Sequence, residues 1–153
     1  MDFADRTYEY FERIHRDVFA GDPASNPALE VEIVEPREVD SLPILVLITP
    51  WTLNGMVFGD LADFPESLTV GAREYPVFAH TLAELGPYRS VNLVPDVSDF
   101  ENQETARRVA RAFVQPFRAA VARAHEKTQV QDPDRRGLLR GLIRTDQDDP
   151  TTS

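Results

Sequence analysis

Residues 43–58, Pro43-Ile-Leu-Val-Leu-Ile-Thr-Pro-Trp-Thr-Leu-Asn-Gly-Met-Val-Phe58, leave this chain few ways to fold. Two apolar runs, 44–48 and 53–58, flank Thr49-Pro50-Trp51-Thr52, which holds the only tryptophan. The first run is dense in β-branched and aliphatic residues and too short for a free-standing helix, so it reads as a strand buried on both faces. Pro50 cannot donate to a sheet ladder and pushes Thr49 towards an extended conformation, so the chain must break, bulge or lie at an edge there. Asn54 and Gly55 mark a bulge or a close backbone approach inside the second run. Trp51 has two readings: a packed core side chain beside a proline kink, or a recognition group that the kink holds at the surface with Asn54.

The rest of the chain supplies what such strands need. Residues 2–20 read as an amphipathic helix, with Phe3, Thr7, Phe11, Ile14 and Val18 at helical spacing, stopped by Gly21-Asp22-Pro23. After a turn-rich connector, residues 29–34 alternate apolar and acidic, the pattern of a strand with one wet face. Residues 36–41 form a charged turn, and three strands then make an antiparallel meander. Residues 66–71 and 73–78 are two short strands about a Gly71-Ala72 turn, with Pro76 pointing to an edge position. Residues 80–86 suggest a short helical turn ended by Gly86, and residues 87–95 the last strand.

Ser98-Asp-Phe-Glu101 has the spacing of a capping box for the helix that follows. That helix sets Ala106, Val109, Ala110, Phe113, Val114, Phe117 and Val121 on one face, and a bend is expected near Gln115 because Pro116 lies inside it. Arg107, Arg111 and Arg118 fall on one stripe, read as a solvated face. From Glu126 the composition turns polar and predicts disorder at the end, interrupted by an amphipathic segment at 134–143. The expected organisation is a single α+β domain over 1–125, an antiparallel sheet packed by an N-terminal and a long C-terminal helix, followed by a polar tail over 126–153.

Charge narrows the function. Residues 1–104 hold 6 basic against 20 acidic side chains, a net of −14, and residues 105–153 hold 10 against 6, a net of +4. An acidic body repels nucleic acid and attracts a basic partner segment. No run reaches the roughly 18 apolar residues of a membrane span, and no signal peptide opens the chain, which places it in the cytoplasm with no membrane insertion. With zero cysteines there is no disulfide, thiolate metal site or thiol nucleophile. No phosphate loop, Gly-x-Ser-x-Gly or His-Glu-x-x-His occurs, and the isolated histidines His15 and His80 read as structural or solvated rather than as metal ligands.

Ile48-Thr-Pro-Trp-Thr-Leu53 resembles the Ile-Thr-Pro-Trp signature of the HybE-type chaperones for [NiFe]-hydrogenase assembly. Two further landmarks follow in the family's order: Tyr88-Arg-Ser90 leading to Leu93 and Pro95, and Arg135-Arg-Gly-Leu-Leu139 near the C-terminus. Where members often carry Cys-Ser, this chain has Val91-Asn92, so no thiol role carries over. Many members also bear a rubredoxin domain with Cys-x-x-Cys pairs, which this cysteine-free sequence lacks, so neither cofactor nor metal is implied. The resemblance implies a non-enzymatic assembly factor that holds a hydrogenase subunit precursor, the small subunit or its twin-arginine signal peptide, or meets another maturation factor. Its landmarks supply the candidate partner-binding residues: Thr49, Pro50, Trp51, Leu53 and Asn54, then Tyr88, then Arg135 and Arg136. The alternative is a cone-shaped α+β domain that binds a small molecule or acts as an enzyme, with His80, Tyr75 and Asp60 as its polar groups.

Overall fold

In a computed structural model, which describes residues 2–19 and 21–131, the chain forms an α+β fold. Helix α1 (Asp2–Ile14) runs into a π-helical turn, His15–Phe19. Seven strands follow: β1 (Glu32–Val39), β2 (Leu42–Ile48), β3 (Leu53–Phe58), β4 (Ser67–Val70), β5 (Arg73–Pro76), β6 (Phe78–Leu82) and β7 (Gly86–Val94). Helix α2 spans Gln103–Gln131. The main sheet is antiparallel with order β1-β2-β3-β7-β6, and β4 and β5 form a separate two-stranded ribbon.

The sheet divides the apolar side chains into two cores. Because successive side chains alternate across a strand, Ile44, Val46 and Ile48 of β2 join the core under α2, and Leu45 and Leu47 join the other. Strand β2 is therefore buried on both faces, as its unbroken apolar run requires. Leu53 and Val57 follow the first set; Met56 and Phe58 follow the second. The α2 core takes Ala106, Ala110, Val114, Phe117 and Val121 from the helix and Leu68, Val70 and Tyr75 from the ribbon. The opposite core is smaller, and Phe3, Tyr10 and Phe11 of α1 cover it.

Gly55 lets α2 come close. A Cβ built there would lie 2.6 Å from Cε1 of Phe117, so the glycine marks a close approach. The bulge is next to it, between Leu53 and Asn54, where β7 carries an extra residue.

Several local expectations are corrected. Strand β1 does not end at 34 but continues to Val39, because a bulge between Val34 and Arg37 absorbs Pro36. The turn is confined to Asp40-Ser41, both at positive φ (52° and 71°), the geometry of a two-residue hairpin that follows strand twist. Residues 80–86 are not a helical turn: His80 and Leu82 belong to β6, which pairs with β7 from Phe78↔Ser90 to Leu82↔Gly86. A seven-residue stretch has too few hydrogen bonds to hold a helix, whereas the edge of β7 offers a ladder. The capping box at 98–101 does not cap α2; Asn102 does, its Oδ1 accepting the Thr105 N–H at 2.8 Å. The helix runs unbroken through Pro116 and passes residue 125. The segment 134–143, with Arg135 and Arg136, lies outside the described residues.

The arginine stripe is not wholly a solvated face. Arg107 forks onto Glu32 of β1, with Nε and Nη2 donating at 2.7 and 3.0 Å. That bidentate contact, opposed by burial and reinforced by Gln103, holds the Glu32 carboxyl below its ordinary value of 4.5. A lowered folded pKa means the unfolded chain takes up the proton first. The stabilisation is therefore complete above pH 4.5 and is lost as pH falls through the folded value. Arg107→Ala should make stability less dependent on pH in that acidic window, as measured by urea denaturation from pH 3 to 6. An unchanged slope would show that the pair contributes nothing.

Candidate functional site

Thr49 to Thr52 close the β2–β3 hairpin. Thr49 N–H donates to the Thr52 carbonyl at 2.9 Å, and the Thr49 hydroxyl accepts from Thr52 N–H at 3.0 Å. Pro50 and Trp51 form the two-residue tip, and neither has positive φ. Such a turn fits strand twist less well than the primed types, and the Thr49 side chain clamps it. The Pro50 carbonyl accepts from Asn26 N–H at 2.7 Å, while Asn26 Nδ2 donates to Val97 and Phe100 carbonyls at 2.9 and 2.8 Å. The connector thus ties the hairpin tip to the entry of α2.

Trp51 falls between its two readings. It is half-buried, stacked on Phe19 at 4.3 Å between ring centroids, with His15 6.0 Å away. The π-helical turn brings both of those residues to the indole. Thr49 and Leu53 are fully buried and Pro50 is buried, so these three set the turn and offer a partner little surface. Asn54 is half-buried on the opposite face from Leu53, its Oδ1 accepting from the Thr52 hydroxyl at 3.3 Å.

Asn54 opens onto a groove of about 270 Å³ lined by Phe11, Met56, Phe78, His80, Tyr88, Ser90 and Asn92. It exists because α1 covers only part of the outer face of β3 and β7 and leaves β6 uncovered. Phe78, 45% exposed, forms its outer wall and Phe11 the inner one. On the floor, His80 Nε2 and the Ser90 hydroxyl are hydrogen-bonded at 2.9 Å, and the imidazole stacks on Tyr88 at 4.7 Å. Burial, with a smaller effect from Arg89, lowers the His80 pKa below 6.5, so the ring is uncharged at neutral pH. Burial also pushes the Tyr88 phenol up to about 12, with Tyr10 adding to the effect, so it too stays neutral. One end of the groove is fastened by Arg13 of α1, which pairs with Glu84 of the β6–β7 turn at 2.8 Å.

This is a concave, uncharged, amide- and aromatic-lined surface. Of the side chains expected for a small-molecule or enzymatic pocket, only His80 is there. Tyr75 is buried in the α2 core and Asp60 is exposed in the β3–β4 loop. Among the described residues no group of three or more His, Cys, Asp or Glu could hold a metal. Sequence reasoning passed over Phe11, Met56, Phe78, Ser90 and Asn92, because their convergence depends on strand order. The alternation of Phe78, His80 and Leu82 was the one signal that could have found β6.

A family model described as "[NiFe]-hydrogenase assembly, chaperone, HybE" matches residues 2–141. The chain belongs to the HybE family. The family match takes in both the hairpin tip and the groove. Among relatives, the hydrogenase expression/formation protein HupT of Azotobacter chroococcum mcd 1 is 33% identical over 147 residues, covering 88% of this chain and 95% of its own. The hydrogenase expression/formation protein HoxT of Azotobacter vinelandii is 34% identical over 132 residues, covering 81% and 86%. No solved structure matches the chain. Like other HybE proteins, this chain is a chaperone of [NiFe]-hydrogenase assembly. No helix among the described residues is long and apolar enough to cross a membrane.

Proposed function

We propose that this HybE protein holds the precursor of a [NiFe]-hydrogenase small subunit in the cytoplasm, through its twin-arginine signal peptide, until maturation is finished. The observation that carries this reading is the groove itself. A chain that leaves Phe78 exposed beside Met56 and Phe11 has an apolar seat for a partner side chain. Asn54 and Asn92 supply amides that can satisfy the backbone of an extended peptide, and Tyr88 forms the aromatic floor. Trp51, at the hairpin tip, extends the same contact along the end of α1. Arg135 and Arg136 would meet a second, acidic part of the client. The net charge of −10 favours encounter with a segment that carries arginines. The role is non-enzymatic: the groove binds and shields, and the neutral His80 and Tyr88 orient rather than transfer protons.

The test is capture of the precursor from the host on tagged protein, with mass spectrometry of what is retained. Wild type should retain a small-subunit precursor with its signal peptide attached. Phe78→Ser removes an exposed ring, so the fold should stand while capture falls about ten-fold, the equivalent of roughly 1.4 kcal/mol. Trp51→Ala should also weaken capture. A clean eluate from cells expressing the hydrogenase, or variants that capture as well as wild type, would sink this site.

A further inference from the structure

The two edges of the main sheet are treated differently. Edge strand β1 is blunted by its bulge, by Pro36, by Glu35 at a φ of 46°, and by the charged Glu35, Arg37 and Glu38. These are standard protections against unwanted strand pairing. Edge strand β6, Phe78-Ala-His-Thr-Leu82, has no bulge, no proline before Leu82 and no charge. Among the described residues its only strand partner is β7.

The direction of the main-chain groups of β6 follows from two hydrogen bonds. The Pro87 carbonyl accepts from Gly59 N–H at 3.0 Å, so Pro87 faces away from β6, and its partner across the ladder, Thr81, faces away from β7. The alternation then turns Phe78, His80 and Leu82 towards β7, and Val77, Ala79 and Thr81 outwards. Val77 agrees: its N–H donates outwards to the Glu66 carbonyl at 2.8 Å. Past that point the N–H and C=O groups of Ala79 and Thr81 have no protein partner among the described residues. They form an open ladder beside the groove, with the Phe78 and His80 side chains on the groove face. Exposed Glu66 and Glu84 stand at its two ends.

We propose that the outer edge of β6 receives an extended, arginine-containing segment of the client as a sixth strand of the sheet. This rests on the reading above and names how the groove is used. The segment bonds to Ala79 and Thr81, sets one aliphatic or aromatic side chain against Phe78, and brings a positive charge to Glu66; Glu84, at the other end, already holds Arg13 of α1. Main-chain pairing gives affinity and the groove gives the choice of side chain. Exposed Glu66 beside the edge and the net charge of −10 favour an arginine-containing segment over a second, equally acidic copy of the chain.

The experiment uses the full-length protein and the small-subunit precursor as probe, with amide hydrogen exchange and binding affinity as readouts. Binding should slow exchange at Ala79 and Thr81 at least ten-fold. Ala79→Pro and Thr81→Pro remove only outward-facing N–H groups, so the fold should survive. Each should weaken binding about five- to ten-fold, near what one main-chain hydrogen bond contributes. Precursor that binds with these amides exchanging as before, and with both proline variants at wild-type affinity, overturns the edge and leaves the client reading standing. Protection of Ala79 and Thr81 before any precursor is added assigns the edge to the protein's own residues or to a second copy, and also overturns it. No binding of precursor by wild type overturns the client reading, and the edge proposal with it.

Discussion

Replacing Phe117 by alanine is expected to lower the free energy of unfolding by about 3–5 kcal/mol. Phe117 is 1% exposed and leads the largest fully buried side chains. Its ring fills the space over Gly55, at the centre of the α2 core, where β3 offers no side chain of its own. Truncation removes the transfer term and leaves a cavity that the closely packed sheet cannot collapse to fill. For a chain of this length the melting temperature should drop by about 10 °C. Calorimetry on the purified protein checks it. A drop of only a degree or two would mean that α2 is not seated on the sheet through this ring.

The second large effect comes from the other side of the same contact. Gly55→Ala places a Cβ 2.6 Å from Cε1, 2.7 Å from Cζ and 2.9 Å from Cδ1 of Phe117. All three are ring atoms of a side chain with no free volume, so either the ring or the helix must shift. Overpacking of this kind costs about 1–3 kcal/mol. Alanine is otherwise acceptable in a strand, so the cost belongs to the clash. In a Phe117→Ala background the clash disappears and the added methyl occupies empty space. Urea denaturation of the two single variants and the double variant should therefore give a double variant more stable than the sum of single losses predicts. Simple additivity would refute the contact.

On the face opposite α2, β3 and β7 are only partly covered by α1. The groove is what remains uncovered, floored by Met56, Tyr88 and Ser90 and walled by Phe11 and Phe78. In a protein of the HybE family, this is the surface we propose for the client.

Much of this was legible in the chain. The apolar run of β2 required burial on both faces, and the strand lies between the two cores. Thr49-Pro50-Trp51-Thr52 required a break, and it is a hairpin tip. Asn54-Gly55 reads as a bulge or a close approach, and the structure has both: a bulge between Leu53 and Asn54, and the Phe117 ring against Gly55. The Thr-Pro-Trp and Tyr-x-Ser landmarks carried the family. What failed was local and has local causes. Ser98 and Glu101 matched a capping pattern, but Asn102 stood nearer the first turn of α2 and took its N–H groups. Pro36 looked like the end of a strand because the bulge that accommodates it depends on pairing with β2. His80 looked helical because β6 is too short to show its period without β7 beside it.

The sequence by itself determined the class of fold, the strand buried on both faces, both helices and the family, because these depend on periodicity, proline and residue order within short windows. Only the tertiary structure decided where Trp51 rests, which side chains share the groove with Asn54 and Tyr88, and that β6 carries an open edge. Those outcomes follow from strand order, and strand order is set by which surfaces bury together across many residues. Each strand declares its own faces, but not the neighbour that will cover them.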